Sequence, residues 1–225
     1  MPSEKITPAI GGSSVSFERL ATDANAFLEH TKVQEKKFDA FASIEGIGRI
    51  IVPLKAKLPS TFKGTALIVC DPSNANEVVA AVTKFVQEGK GDPVLVLLNY
   101  TAKAAQRFFG EHKVSGVRMI DTVTQSISRF PETPNVQFVD SVRNLTQTQI
   151  TMIRALEEKP STVFVVDSVG MLFLYHEPPV VIKFFFSLSS ILHKHNATSF
   201  FVCAGKPNES ILQFFDEVIT LPKFA

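Results

Sequence analysis

The residues best suited to chemistry are Asp167 and Ser168, which directly follow a continuous apolar run in the stretch S-T-V-F-V-V-D-S-V-G. Such a run, rich in β-branched residues, predicts a central strand of a parallel sheet that is buried on both faces. The two polar residues would then stand at the carboxyl end of the strand, where open α/β sheets bind ligands. A carboxylate there can hold magnesium against phosphate oxygens. The sequence favours the plainer interpretation, in which Asp167 caps a turn.

Other candidate side chains give weaker indications. Lys206 and Glu209 follow another apolar run, so Lys206 could meet an anion at the same sheet edge or simply be solvated. His193 and His195 stand two residues apart in a helical pattern, and their side chains therefore point in different directions. No metal site is predicted, except for magnesium at Asp167 if that residue still binds a nucleotide.

Composition disfavours several classes of protein. The 225 residues carry a formal net charge of +1 without a basic stripe, which disfavours a nucleic-acid partner. No apolar run reaches the roughly 18 residues that span a bilayer, and the N-terminus lacks a signal-peptide core. Cys70 and Cys203 each end an apolar run, which predicts buried free thiols rather than a disulfide. We therefore expect a cytoplasmic protein.

The elements that must position these residues alternate between strand and helix from residue 65 onward. Strands are predicted at 65–70, 93–98, 117–120, 136–139, 161–167, 198–203 and 218–221. Helices are predicted at 75–88, 102–112, 122–129, 145–158, 177–195 and 209–215. This alternation predicts an α/β fold with a mostly parallel, doubly wound sheet.

The beginning of the chain has a different pattern. Residues 1–15 are predicted to be a disordered tail, because they combine prolines with G-G-S-S. Residues 16–60 are predicted to be an extension that packs on the core at 61–225. Within it we expect one or two amphipathic helices at 16–43 and a short strand at 49–58, ended by Pro59.

Three stretches resemble the RecA-like ATPases, in particular the archaeal and bacterial relatives of KaiC. They are V-F-V-V-D-S-V-G, which is similar to the Walker B strand, F-F-D-E-V-I-T-L, and F-V-D-S-V-R-N-L-T. The resemblance covers residues 63–221. It implies a three-layer α/β/α sandwich whose first strand leads into a phosphate-binding loop.

That loop, G-x-x-x-x-G-K-[ST] in the family, is replaced here by D-P-S-N-A-N-E. Ala75 takes the place of the last glycine, Asn76 that of the lysine, and Glu77 that of the Ser/Thr that binds magnesium. Asp71 and Glu77 add negative charge where a triphosphate would sit, which is repulsive. Asn74 and Glu77 also have the spacing of a helix capping box, which predicts an ordinary helix start.

Two further differences from the family concern catalysis and assembly. Asn99-Tyr100 follows the second strand, where the resemblance implies a catalytic glutamate, and an amide cannot accept a proton from water. The family usually continues past its last strand into a basic hairpin, whereas this sequence ends at Ala225. The resemblance therefore implies an inactive homologue, in which Asn76, Glu77, Asp167 and Ser168 are vestiges of a nucleotide site.

The helix at 177–195 is apolar on more than one face. Its sheet-facing stripe is predicted to comprise Val180, Val181, Phe184, Phe185, Leu188, Ile191 and Leu192. Ile182 and Phe186 lie on the far side, together with His193, and a second apolar stripe needs its own cover. The N-terminal extension or another subunit could supply that cover.

Three functions remain open from sequence. The chain could be an inactive RecA/KaiC-like subunit that binds protein partners, either another copy or an active paralogue, and this is the interpretation we favour. It could be an atypical nucleotide-binding regulator that keeps weak ATP and magnesium binding. It could also be an accessory protein of DNA recombination, which the near-zero charge disfavours.

Overall fold

The computed structural model describes residues 44–59, 62–127 and 133–224. Its strands are β1 (Thr65–Cys70), β2 (Asp92–Leu97), β3 (Arg118–Asp121), β4 (Val136–Phe138), β5 (Thr162–Asp167), β6 (Thr198–Ala204) and β7 (Glu217–Thr220). All seven pair in parallel in one sheet, in the order β4-β3-β2-β5-β6-β1-β7. β5 is the central strand, as the sequence predicted.

Helices cover both faces of this sheet. They are α1 (Ile44–Lys57), α2 (Ala75–Glu88), α3 (Ala102–Glu111), α4 (Leu145–Glu158), α5 (Val169–Tyr175) and α6 (Pro178–Lys194). The first three share one hydrophobic cluster with the sheet and the last three share the other. The predicted three-layer α/β/α sandwich with a parallel central sheet is therefore confirmed. None of the helices in the described ranges is long and apolar enough to cross a membrane.

Strand alternation decides which layer each side chain of β5 meets. Val163 and Val165 contact the layer of α1, α2 and α3, whereas Phe164 and Val166 contact the layer of α4, α5 and α6. Both sets are apolar because a parallel sheet covered on two faces has no solvated side. The next position, Asp167, falls on the α2 side by the same alternation.

The strand predicted at 49–58 is wrong, because these residues belong to α1. The buried positions are spaced as on a helix and point toward α2. They are Ile47, Ile50, Ile51, Leu54 and Leu58. Pro53 lies inside the helix, where proline removes a hydrogen bond, so packing against α2 outweighs local preference here.

The helix predicted at 122–129 is also wrong in its described part, which holds only a 3₁₀ turn at Thr124–Ser126. The Asp121 carboxylate accepts the N–H groups of Val123 and Thr124, each at 2.8 Å, and this side-chain capping replaces a regular helix start. The short helix predicted at 209–215 is a 3₁₀ helix at Glu209–Phe214. The predicted tail at 1–15 and the predicted helices at 16–43 lie outside the described residues.

A pair of alanine substitutions distinguishes the helical arrangement of α1 from the strand that the sequence suggested. In a strand, Val52 would share a face with Leu54, but here Leu54 is 1% exposed and Val52 is 69% exposed. We expect Leu54→Ala to lower the free energy of unfolding by about 2–4 kcal/mol. Val52→Ala should change it by less than about 0.5 kcal/mol. Urea denaturation measures both, and equal losses would contradict the helix.

Candidate functional site

The candidate site lies at the carboxyl edge of the sheet, where Asp167 ends β5. In the strand register Asp167 stands opposite Leu97 of β2, and Leu97 stands opposite Asp121 of β3. Asp167 and Asp121 therefore lie on the two strands that neighbour β2, one on each side of Leu97. Ser168 follows with only 6% of its surface exposed, and the peptide bond between Asp167 and Ser168 is cis.

Asp167 is sealed inside the protein. Its side chain is 1% exposed and lies beside that of Tyr100, which is also 1% exposed. Burial raises the pKa of Asp167 to about 7, against the lowering effect of the Tyr100 contact. Burial and the Asp167 charge both raise the pKa of Tyr100 as well. The carboxyl group is thus partly protonated near neutral pH and has no open path to a ligand.

Asp167 does not cap a turn, and that interpretation of the sequence is wrong. The capping role belongs to Asp121, which is fully buried and accepts hydrogen bonds from Ala102 N at 2.6 Å and from Val123 and Thr124 N. The Thr124 hydroxyl also donates to it. Asp121 is the last residue of β3, R-M-I-D, just as Asp167 is the last residue of β5. The sequence analysis used this signal for Asp167 but did not identify Asp121.

The backbone N–H groups of the turn between β1 and α2 are bonded within the turn itself. Pro72 has no N–H, and Ser73 N donates to Asp71 Oδ1 at 2.9 Å. Asn74 N donates to the Asp71 carbonyl at 3.0 Å, and Ala75 N donates to the Pro72 carbonyl. A phosphate cradle requires several N–H groups free to converge on one anion. Residues 72–75 offer none.

Both carboxylate oxygens of Asp71 already have partners within the protein. Its carboxylate also accepts the Ser73 hydroxyl at 2.6 Å, and Lys223 Nζ lies 3.3 Å from its second oxygen. The hydrogen bonds from Ser73, followed by the contact with Lys223, hold the pKa of Asp71 below its usual value. Asp71 therefore stays negatively charged at the place where a nucleotide phosphate would approach.

The predicted capping box of Asn74 and Glu77 does not form. Asn74 precedes α2 but makes no side-chain capping bond, and its buried Oδ1 has no partner among the described residues. The Asp71 carboxylate caps this turn by accepting the Ser73 N–H, and the Asn74 side chain makes no capping bond at the start of α2. Asn76 is buried, with 9% exposure, and Glu77 is half-buried. Burial raises the pKa of Glu77, and the nearby charge of Arg49 opposes that shift.

The two cysteines are free and buried, as predicted. Cys70 and Cys203 belong to opposite hydrophobic clusters, because they stand one position out of register on neighbouring strands. Burial raises the pKa of Cys70 to about 12, helped by the negative charge of Asp167, and that of Cys203 to about 11. Both thiols remain protonated and are poor nucleophiles.

A cleft of about 560 Å³ opens at the same edge of the sheet, but in the other helical layer. It lies between α5 and the loop after β6, and neither Asp167 nor Asn76 nor Glu77 lines it. Lys206 is at its rim, as expected, with its ammonium 3.2 Å from Glu209 and its side chain 83% exposed. The lysine charge is therefore already paired with a carboxylate in water.

The three residues of α6 that the sequence singled out as an interaction surface differ in exposure. Phe186 is 66% exposed, His193 is exposed and Ile182 is half-buried. Of the predicted sheet-facing stripe, Val181, Phe184, Phe185, Leu188 and Leu192 are buried. Val180 is not, with 45% exposure, because it lies in the first turn of the helix at the edge of the stripe. On the far side of α6, the Phe186 ring therefore has no cover among the described residues.

The pH dependence of stability tests the burial of Asp167. Its pKa is raised on folding, so its contribution to stability is complete below about pH 4 and is lost as the pH rises to about 7. We expect Asp167→Asn to raise the free energy of unfolding at pH 8 by on the order of 2 kcal/mol. The gain should shrink at pH 5.

Urea titrations at the two pH values measure this difference, with Asp140→Asn as a control for removing an exposed negative charge. A gain of equal size at pH 5 and pH 8 would mean that Asp167 does not titrate in this range.

The sequence matches no protein-family model and no curated protein. Among solved structures, the fold is similar to that of the KaiC-like protein PH0186 from the hyperthermophilic archaeon Pyrococcus horikoshii OT3, with a TM-score of 0.48 and 16% identity over 70% of each chain. PCH-2 of C. elegans is similar with a TM-score of 0.41 and 9% identity, over 81% of this chain and 41% of that one. At these identities no residue role is carried over to this chain.

Proposed function

We propose that this protein is a RecA-like ATPase homologue of the KaiC branch that has a degenerate Walker A loop and does not hydrolyse nucleotide. It acts instead as a structural or regulatory subunit that binds protein partners. The observation that carries the proposal is the closed turn after β1, in which residues 72–75 leave no N–H free for a phosphate. The N–H groups of Ser73, Asn74 and Ala75 are therefore not available to a phosphate, which a phosphate loop binds through groups of this kind.

Magnesium does not fit the residues that remain. The carboxylate at the Walker B position, Asp167, is 1% exposed beside Tyr100, and Glu77 stands where a hydroxyl ligand would be needed. Within the described ranges, no three His, Cys, Asp or Glu side chains are grouped closely enough to hold a metal ion. A magnesium ion needs accessible oxygen ligands and retained waters, and a sealed carboxylate provides neither.

The residue that would activate water is also unsuited to that task. Asn99 follows β2, and its buried Oδ1 has no partner among the described residues. An amide can orient a water but cannot take its proton. Loss of the phosphate cradle, the metal site and the base together supports inactivity more strongly than any one of them alone.

The far side of α6 supports a role in binding partners. Phe186 exposes two thirds of its surface on a helix whose opposite side is buried in the core at Val181, Phe184, Phe185, Leu188 and Leu192. A Gln149 to Ser187 hydrogen bond of 2.7 Å fixes α6 against α4, so the surface is presented on a rigid element. Large exposed aromatic residues on rigid helices are typical of protein contacts. A second copy of this chain is the first partner to test.

Nucleotide titration tests the loss of activity. We expect calorimetry with ATP and magnesium to show binding weaker than millimolar, and phosphate release to equal that of Asp167→Ala. Asn76→Lys and Glu77→Thr should not restore hydrolysis, because Asn99 still lacks a proton-accepting group. Micromolar binding that disappears in Asp167→Ala would contradict the proposal and support a nucleotide sensor. Wild-type turnover above background would also contradict it.

Light scattering over a concentration series tests the interaction surface. We expect the wild-type mass to exceed that of one chain and Phe186→Ser to reduce it. Because Phe186 is 66% exposed, the variant should unfold within a few degrees of the wild type. Leu174→Ser, at an equally exposed leucine on α5, is the matched control and should leave the mass unchanged. A monomeric wild type would exclude self-association and leave a different protein as the partner.

A further inference from the structure

A second cavity lies at the amino edge of the sheet, at the opposite end of the strands from Asp167. Its volume is about 480 Å³, within the range of small-molecule sites. It forms where α1 and α2 end and where β5 and β6 begin. The residues that the argument uses are Lys55, Phe62, Lys63, Phe85, Lys90 and Phe200, all of which line it.

The floor of this cavity is aromatic and already assembled. The ring of Phe200 lies 6.0 Å from the ring of Phe62 and 6.0 Å from that of Phe85. Phe85 and Phe200 are 8% and 3% exposed, so packing holds their rings in place. The Thr198 hydroxyl in the wall donates to the Phe62 carbonyl at 3.3 Å. The three rings therefore offer apolar surface to a ligand. The Thr198 hydroxyl already has a hydrogen-bond acceptor in the protein and does not need one from the ligand.

The rim of the cavity is cationic. Three lysines and one glutamate line it, which gives it a net charge of +2. Lys55 is neutralised by Glu88, with Nζ 2.7 Å from Oε2. In the part of the chain that the structure describes, Lys63 and Lys90 have no carboxylate within salt-bridge distance. Two lysines thus remain to attract a negative group.

The position of Lys90 is fixed by the end of α2. Its φ of 61° is left-handed, and Lys90 N and Gly91 N bond back to Gln87 O and Val86 O. Lys113 has the same kind of position at the end of α3, with a φ of 55°, but it lines neither cavity. Both lysines have a positive φ because each follows the end of a helix, but only Lys90 lines the cavity. Lys113 is therefore a matched control for replacing the side chain of Lys90.

We propose that this cavity binds a small amphipathic anion that combines one carboxylate with an apolar tail. The tail lies on the floor of Phe62, Phe85 and Phe200, and the carboxylate lies between Lys63 and Lys90. A single negative charge fits better than a phosphate, because Glu88 and the negative end of the α2 dipole also border the cavity. This site is independent of the nucleotide edge and does not depend on the function proposed above.

Calorimetric titration of the full chain with decanoate, below its aggregation concentration, tests the site. Saturable binding with one site per chain is expected, together with binding of decanol that is about tenfold weaker because the alcohol lacks the charge. Lys63→Met and Lys90→Met should each weaken decanoate binding by about fivefold, the upper end for an exposed ion pair. Lys113→Met should bind like the wild type.

Thermal unfolding of the free variants separates loss of binding from loss of folding, and all three should unfold within a few degrees of the wild type. The proposal is overturned if wild-type protein does not bind decanoate. It is also overturned if decanol binds equally well, or if Lys113→Met weakens binding as much as Lys63→Met and Lys90→Met do.

Discussion

The whole architecture depends on covering both faces of a parallel sheet whose central strand has no solvated side. β5 pairs with β2 along its whole length and with β6 from Val163 to Asp167, and its side chains alternate between two apolar layers. The helices have to be amphipathic and must pack in two layers to meet this demand. Even α1, which contains a proline, is helical because its buried stripe completes the layer over α2.

The covering of both sheet faces also buries the residue that ends the central strand, and this burial changes the pKa of its carboxyl group. Strand alternation directs Asp167 into the α2 layer, where Tyr100 covers it and burial raises its pKa to about 7. Asp121, on the far side of β2 from Asp167, is also buried but accepts hydrogen bonds from Ala102, Val123 and Thr124. Two aspartates with one sequence signal therefore have different roles. Asp121 organises the loops, whereas Asp167 is a polar group retained inside the protein.

The two edges of the sheet differ in what they offer to other molecules. At the carboxyl edge, the turn after β1 consumes its own N–H groups, and Asp71 is held by Ser73 and Lys223. At the amino edge, a cavity lined by Phe62, Phe85 and Phe200 has Lys63 and Lys90 at its rim. At the edge that binds ligands in most sheets of this kind, the cleft between α5 and the loop after β6 is open but is not lined by Asp167, whereas the opposite edge has a cavity rimmed by lysines. The remaining exposed aromatic surface, Phe186 on α6, faces outward from one helical layer.

The sequence by itself determined the parallel α/β sandwich, the central position of β5 and the pairing of α6 with the sheet, because apolar periodicity is a local property of the chain. Only the tertiary structure decided that 49–58 is a helix, since the stripe of Ile50 and Leu54 has meaning only against α2. It also decided that Asp121, and not Asp167, caps the loops. Burial and hydrogen-bond partners arise from contacts between residues far apart in the chain, and local patterns cannot specify them.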